Sequence, residues 1–142
     1  MLAYNVFDKE TETVMKHLVF TYGTLMKGQL SYGRFGESEF IGDATLYDYG
    51  IYEVGAYPAA VPLKGFKVEG EVYAVDDEQL KRFDEYEDEG DLYIRKIVKV
   101  ELSDKRIIDT YFYEYNKDTG NLELREPEGK WSLTRKPYKK TV

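Results

Sequence analysis

One stretch of this sequence carries a complete set of helix-start signals, and it lies among segments that are patterned as strands. Asp76 stands at the N-cap position, Gln79 at the reciprocal position of a capping box, and Val75 and Leu80 have the spacing of a hydrophobic staple. A short turn near residues 29–35 is the other candidate for helix. We therefore expect a core built from strands, with this helix packed against them.

Several segments are rich in β-branched and aromatic residues and alternate in part between apolar and polar positions, which predicts strands. A hairpin turn is expected at Ser103–Lys105, and a second at Asn116–Asn121 with Gly120 in the left-handed conformation. The predicted fold is α+β: a small, mainly antiparallel β-barrel with a few flanking helices. Its predicted strands are Leu18–Tyr22, Phe40–Tyr47, Gly50–Val54, Lys67–Val75, Tyr93–Leu102 and Ile107–Tyr115.

The 142 residues predict a single domain, because Gly, Pro and Ser never cluster into a linker. We assign the domain to residues 15–125, preceded by a polar, flexible extension at 1–14 and followed by a basic tail at 126–142. Twenty basic and 27 acidic residues give a formal net charge of −7, which argues against nucleic acid as a partner because phosphates would be repelled.

The residue inventory excludes several kinds of site. Cysteine is absent, which rules out a thiolate nucleophile and a cysteine-based metal site. His17 is the sole histidine, so a metal site with several histidines is also ruled out. We expect His17 at the surface where the first strand begins. No phosphate-binding loop or EF-hand spacing occurs, and we predict neither a metal nor a cofactor. No apolar run is long enough to span a bilayer and no export signal is evident, so no membrane partner and a cytoplasmic location are expected.

Glu87 is the anomalous residue of the predicted helix. The spacing of Leu80, Phe83 and Glu87 places this carboxylate on the stripe that faces inward. Burial disfavours the charged form of an acid and raises its pKa, which makes it a usable proton shuttle near neutral pH. The alternative is that Glu87 lies at a frayed helix end, solvated or paired with Arg95.

The predicted strand at Leu18–Tyr22 runs directly into a glycine. The sequence Tyr22-Gly23-Thr24-Leu25 can turn consecutive N–H groups toward one point, where they would bind a carboxylate or a developing oxyanion. Turn geometry alone also explains a glycine at this place. Tyr57-Pro58 reads as a rigid loop that walls a cavity, or as a simple rigid turn.

Taken together, these segments resemble the γ-glutamylcyclotransferase-like family, which includes the γ-glutamylamine cyclotransferases and the AIG2-like proteins. The resemblance extends from about His17 to Tyr115. It rests on several ordered blocks: Phe20–Leu25, Tyr57–Pro62, Val68–Tyr73, Phe83–Glu87 and Tyr93–Arg95.

The resemblance implies an activity and a set of site residues. Members of that family cyclise a γ-glutamyl group to 5-oxoproline and release the free amine, so a small γ-glutamyl amine or amide is the expected substrate. Glu87 would be the general acid/base, and the substrate would be bound by Tyr22, Gly23, Thr24, Leu25 and Tyr93. A non-catalytic small-ligand-binding module or a protein-interaction module of the same fold remains the alternative.

Overall fold

The computed structural model describes residues 3–7, 13–23, 38–55, 57–124 and 128–130. In these ranges the chain forms, in order, β1 (Ala3–Phe7), β2 (Thr13–Thr21), β3 (Glu39–Val54), β4 (Tyr57–Val75), α1 (Asp77–Tyr86), β5 (Tyr93–Leu102), β6 (Ile107–Tyr115), β7 (Glu123–Leu124) and β8 (Glu128–Lys130). Within the described residues no helix has the length and apolarity needed to cross a membrane. The turn predicted near residues 29–35 lies outside the described residues.

The strands form one sheet that closes on itself. Its order is β1-β2-β6-β5-β3-β4-β8, and β2 also pairs with β4, so that β2, β6, β5, β3 and β4 make a five-stranded barrel. The pairs are antiparallel except for β2 with β6 and β4 with β8. The predicted α+β fold with a mainly antiparallel barrel is therefore confirmed, with one helix in the described ranges where a few were expected.

Gly70 allows the barrel to close between β2 and β4. A Cβ atom at this position would lie 2.1 Å from the main-chain oxygen of Thr21 and 2.8 Å from the ring of Phe20. Real side chains cannot approach a carbonyl oxygen so closely, whereas glycine has no Cβ to place there. The end of β2 can therefore lie in close contact with β4 at this position.

Side chains of the barrel strands alternate between two apolar clusters, as the two-residue period of a strand requires. Phe20, Val72 and Phe112 belong to the cluster inside the barrel. Their chain neighbours, including Val19 and Tyr113, belong to a second cluster, which also contains Leu80 and Phe83 of α1. The helix therefore covers the outer face of β2, β4, β5 and β6.

The predicted start of α1 is confirmed. The carboxylate of Asp76 accepts a hydrogen bond from the main-chain N–H of Gln79 at 2.7 Å, and the Gln79 side chain accepts one from the N–H of Asp76 at 2.9 Å. Leu80 and Phe83 are buried against the barrel. Further along, Asp84 accepts a hydrogen bond from the hydroxyl of Tyr113 at 2.7 Å. These contacts fix both ends of the helix, and Glu87 is its C-cap residue.

Several strand predictions need correction. The structure confirms the predicted bounds of β5 and β6 and the hairpin turn between them. In contrast, the two segments predicted between residues 40 and 54 form one strand, β3. A bulge interrupts this strand where Asp48 has φ +62°. β4 begins at Tyr57 rather than Lys67, so Tyr57-Pro58 lies in a strand and not in a loop.

Residues 116–121 do not form the predicted hairpin, because the following strand, β7, pairs with β3 and not with β6. Gly120 does not adopt the left-handed conformation.

The two ends of the chain each contribute a strand. β1 lies within residues 1–14 and pairs with β2, and β8 lies within residues 126–142 and pairs with β4. His17 lies inside β2 rather than at its entry, with its side chain 17% exposed and its Nε2 2.5 Å from Oδ1 of Asp77. His17 thus connects β2 to the first turn of α1 and takes no part in the cavity described next.

Candidate active site

A cavity of about 150 Å³ opens where the end of β2, the hairpin between β3 and β4, and the C-terminal end of α1 meet. Its described lining is mainly aromatic and aliphatic. It consists of Phe20, Thr21, Tyr22, Gly23, Val54, Tyr57, Pro58, Phe83, Tyr86, Glu87, Leu92, Tyr93 and Tyr113.

Glu87 contributes the one charged side chain among the described residues that line this cavity. The residue is half-buried, since part of its surface faces the cavity while the surrounding protein excludes most bulk water from the carboxyl. Burial raises the pKa of Glu87 from its ordinary 4.5 to about 7. A carboxyl with this pKa exchanges protons readily near neutral pH.

Arg95 does not pair with Glu87, which was the alternative interpretation of that residue. Its guanidinium lies 3.4 Å from the carboxylate of Asp84 and 4.7 Å from the centre of the Tyr111 ring. The positive charge of Arg95 is therefore directed to the side of α1, where it meets Asp84.

Gly23 lines the cavity at the point where β2 ends, and its lack of a side chain is required there. A Cβ atom on Gly23 would lie 2.7 Å from Cγ of Pro58. Glycine thus lets the main chain pass directly against the proline ring. Thr24 and Leu25, which were predicted to continue this loop, lie outside the described residues.

Tyr22 contacts the cavity, but its hydroxyl is engaged in the protein interior. The hydroxyl donates a hydrogen bond to the main-chain oxygen of Tyr113 at 2.6 Å, and the ring packs against Phe20 and Phe112. Burial raises the pKa of Tyr22 well above its ordinary value of 10, and the negative charge of Glu87 raises it further. Within the described site, Tyr22 therefore ties the end of β2 to β6.

Tyr93 also lines the cavity and is held by Pro58. Its hydroxyl donates a hydrogen bond of 2.5 Å to the main-chain oxygen of Pro58. Burial raises the pKa of Tyr93, and the charge of Glu87 raises it further, so the hydroxyl stays protonated. Pro58 consequently contacts Gly23 through its ring and Tyr93 through its carbonyl group.

The structure brings Tyr22, Gly23, Glu87 and Tyr93 to one cavity, and it adds residues that sequence analysis did not select. Tyr86 and Tyr113 also line the cavity. The alternation of residues along β6 could have assigned Tyr113 to the face opposite Phe112. However, the sequence around Tyr113 does not indicate that this face packs against α1. The described part of the chain contains no group of three or more His, Asp or Glu residues that could hold a metal ion.

Comparisons with known proteins agree with this architecture. The sequence profile described as γ-glutamyl cyclotransferase, AIG2-like, matches residues 19–133. The γ-glutamylcyclotransferase family protein YtfP of Escherichia coli is 30% identical over 113 residues, which cover 80% of this chain and 94% of that protein. γ-Glutamylaminecyclotransferase B of Danio rerio is 38% identical over 95 residues, or 60% of this chain and 50% of that protein.

A solved structure extends the likeness to three dimensions. The AIG2-like protein of Mus musculus superposes with a TM-score of 0.68 at 25% identity, covering 79% of this chain and 87% of that one. Since the family profile spans most of the sequence and the bacterial relative matches over nearly its whole length, this chain belongs to the γ-glutamylcyclotransferase, AIG2-like family.

Proposed function

We propose that this protein is a γ-glutamylcyclotransferase that converts the γ-glutamyl group of a γ-glutamyl amine to 5-oxoproline and releases the free amine. The observation that carries the proposal is that a half-buried carboxyl with a raised pKa, that of Glu87, shares a small cavity with the glycine at the end of β2. The name of the Danio rerio relative supports the amine as the leaving group.

The reaction requires little from the protein beyond conformation and proton transfer. The α-amine of the substrate attacks its own γ-carbonyl carbon, a five-membered lactam closes, and the bond to the leaving nitrogen breaks. Since the nucleophile belongs to the substrate, attack is intramolecular, and effective molarities of well-oriented cases reach about 10⁵ M or more. The small cavity would select the folded-back conformer that brings amine and carbonyl together.

Glu87 would act as the general base and then as the general acid. An α-amine has a reference pKa of about 8, so it arrives largely protonated and must lose a proton to attack. A carboxylate whose pKa is about 7 can take that proton at little cost and return it to the departing nitrogen. Glu87 thus serves as base and then as acid. The second proton that the α-nitrogen loses on becoming the lactam N–H leaves with the released amine, which departs as an ammonium ion.

Main-chain N–H groups at the end of β2 would bind an oxygen of the γ-glutamyl group. Gly23 and, beyond the described residues, Thr24 and Leu25 are the proposed donors, either to the carbonyl oxygen as it gains charge or to the substrate carboxylate. Tyr93 and Tyr22 would complete the binding site. Their hydroxyls are held by main-chain carbonyls, so both side chains would present fixed surfaces to the substrate.

The test is a turnover assay of the full chain with γ-glutamyl methylamide and γ-glutamyl-lysine, in which 5-oxoproline is measured. The variant Glu87→Gln removes the titrating group but keeps the size of the side chain. Because general acid/base catalysis contributes about 100-fold or more, we expect kcat to fall by at least that factor. Circular dichroism should show an unchanged fold.

The matched control is Glu85→Gln, which makes the same chemical change two positions away on an exposed side chain. We expect this variant to keep normal turnover. If Glu87→Gln keeps more than about a tenth of normal turnover, the assigned role is wrong. If the natural chain binds these amides but releases no 5-oxoproline, it is a binding module of the same fold.

A further inference from the structure

Asp84 lies in the last turn of α1, one helical turn before Glu87. Side chains three positions apart on a helix are neighbours, with about 5–6 Å between their Cβ atoms. Both carboxylate oxygens of Asp84 are engaged. Oδ1 accepts the hydrogen bond from the Tyr113 hydroxyl at 2.7 Å, and Oδ2 lies 3.4 Å from Nη1 of Arg95. Asp84 therefore holds a hydrogen-bond donor and a cation close to the helix turn that carries Glu87.

The titratable side chains that face Glu87 across the described lining are tyrosines. Two of them, Tyr22 and Tyr93, donate their hydroxyl protons to main-chain oxygens. Tyr113 donates to Asp84, so its acceptor belongs to a side chain and can be removed by substitution. Burial and this hydrogen bond raise the pKa of Tyr113, so the hydroxyl keeps a proton to donate. The tyrosines of the described lining come from the end of β2, from β4, α1, β5 and β6: Tyr22, Tyr57, Tyr86, Tyr93 and Tyr113.

Either partner of Asp84 would make Glu87 a stronger acid if it turned toward that residue. A hydrogen bond donated to a carboxylate favours the charged form, and a cation within about 4–6 Å lowers the pKa of a carboxyl by about 1–3 units. The pKa of Glu87 is about 7, and burial is the cause of the increase. A carboxylate with a lower pKa would be a weaker base toward the α-amine of the substrate.

The helix itself does not favour an acid at position 84. The last turn of α1 contains no basic residue, and a negative charge near the C-terminal end of a helix is opposed by the helix dipole. Contacts outside the helix compensate for this, since Tyr113 belongs to β6 and Arg95 to β5. The guanidinium of Arg95 also lies over the Tyr111 ring, which keeps it on the same side of α1 as Asp84.

We infer that Asp84 is a positioning residue for Glu87, because it holds the Tyr113 hydroxyl and the Arg95 guanidinium and so keeps a hydrogen-bond donor and a cation away from the general acid/base. The inference rests on the proposed function, in which Glu87 takes a proton from the substrate and returns it. Asp84 does not line the cavity, so it acts through Glu87 and not on the substrate. Its contact with Arg95 is also the reason why Arg95 does not pair with Glu87.

An NMR titration of the carboxyl carbon of Glu87 in the full chain tests the inference without turnover. The signal is identified by its absence from Glu87→Gln, and in the natural chain its midpoint should lie at about pH 7. The variant Asp84→Ala should lower the midpoint by about one pH unit or more, because Tyr113 and Arg95 become free to reach Glu87. The acid limb of kcat/KM for γ-glutamyl methylamide should move to lower pH by the same amount.

Asp77→Ala is the matched control. Asp77 is another aspartate that holds α1 to the barrel, through His17 of β2, but it lies in the first turn of the helix. The same substitution there removes an ion pair of α1 without releasing a group near Glu87. Asp77→Ala should therefore leave the Glu87 midpoint unchanged, and an equal shift in this variant would contradict the inference.

A rescue variant separates this role from a loosened helix, because water admitted by loosening would also lower the pKa of Glu87. Adding Tyr113→Phe and Arg95→Met to Asp84→Ala removes both released groups. The Glu87 midpoint should then return to within about half a pH unit of the natural value. A purely structural role of Asp84 predicts no recovery, since the helix has lost the same contacts in both variants.

The outcomes separate the inference from the proposed function. If circular dichroism shows that Asp84→Ala does not fold, Asp84→Asn takes its place; it keeps an oxygen for Tyr113 but loses the charge that holds Arg95, so a downward shift of about one pH unit is again expected. If the natural chain cyclises the methylamide but the midpoint does not fall, or does not recover in the rescue variant, the proposed function stands and the inference is wrong. If the natural chain releases no 5-oxoproline, the proposed function is wrong whatever the titration shows.

Discussion

Replacing Glu87 by glutamine should stabilise the fold at alkaline pH while it removes activity. The pKa of Glu87 is about 7 in the folded protein and 4.5 ordinarily, so the folded state holds this proton more tightly than the unfolded state does. At about 1.4 kcal/mol for each pKa unit, this difference corresponds to about 3 kcal/mol. Ionised Glu87 should therefore cost the folded protein about that much, a cost that glutamine does not carry.

The sign determines the pH range of the effect. Since the folded-state pKa is raised, the stabilisation from Glu87 is fully present below about pH 4.5 and is lost as the pH rises to about 7. Glu87→Gln should therefore gain stability relative to the natural protein over this interval. The difference should grow by about 3 kcal/mol between about pH 4.5 and pH 8.5.

Urea denaturation, followed by circular dichroism at several pH values, measures this difference as a change in the free energy of unfolding. Any constant effect of the amide group cancels, because the prediction concerns the change with pH. Glu85→Gln is the control, and its difference from the natural protein should stay nearly constant. A difference for Glu87→Gln that is also independent of pH would show that Glu87 ionises as an ordinary exposed acid, and the argument from burial would be refuted.

Two further predictions concern the pH dependence of turnover and the closure of the barrel. Protonated Glu87 cannot accept a proton, so kcat/KM for γ-glutamyl methylamide should fall about tenfold per pH unit below about pH 7. A pH profile that stays flat down to about pH 5 would contradict the role of Glu87 as general base. Gly70→Ala should lower the free energy of unfolding, measured by urea denaturation, by more than about 3 kcal/mol. Gly42→Ala is the control, because a Cβ atom there would meet only ordinary contact distances, and it should change this free energy by less than about 1 kcal/mol. Equal effects of the two variants would contradict the argument that β2 and β4 need glycine at position 70.

The sequence predicted those elements whose signals are local. β5 and β6 are joined by a short turn, and α1 starts with a capping box, so a few neighbouring residues determine each boundary. β3 and β4 were predicted less well because their ladder of hydrogen bonds overrides local signals. Asp48 is incorporated as a bulge, and Pro58 and Pro62 are accommodated within β4 although proline usually argues against a strand.

The same distinction applies to the candidate site. Helical spacing alone directs Glu87 inward, since Leu80 and Phe83 define the buried face of α1. The contacts of Pro58 with Gly23 and Tyr93 join three segments that are remote in sequence, and no local pattern reports them. Resemblance to a family suggested which residues meet, but the hydrogen-bond partners of the tyrosine hydroxyls follow only from the structure.

The pairing of β2 with both β4 and β6 makes the candidate site depend on contacts between distant parts of the chain. The hydrogen bond from Tyr22 to Tyr113 joins residues 91 positions apart, and contacts over such separations are slow to form because a long loop must be closed first. Without β2 in place the cavity would lose the wall that Phe20 to Gly23 form, and water entering there would return the acidity of Glu87 toward normal. The proton-transfer role proposed for Glu87 therefore requires this long-range pairing.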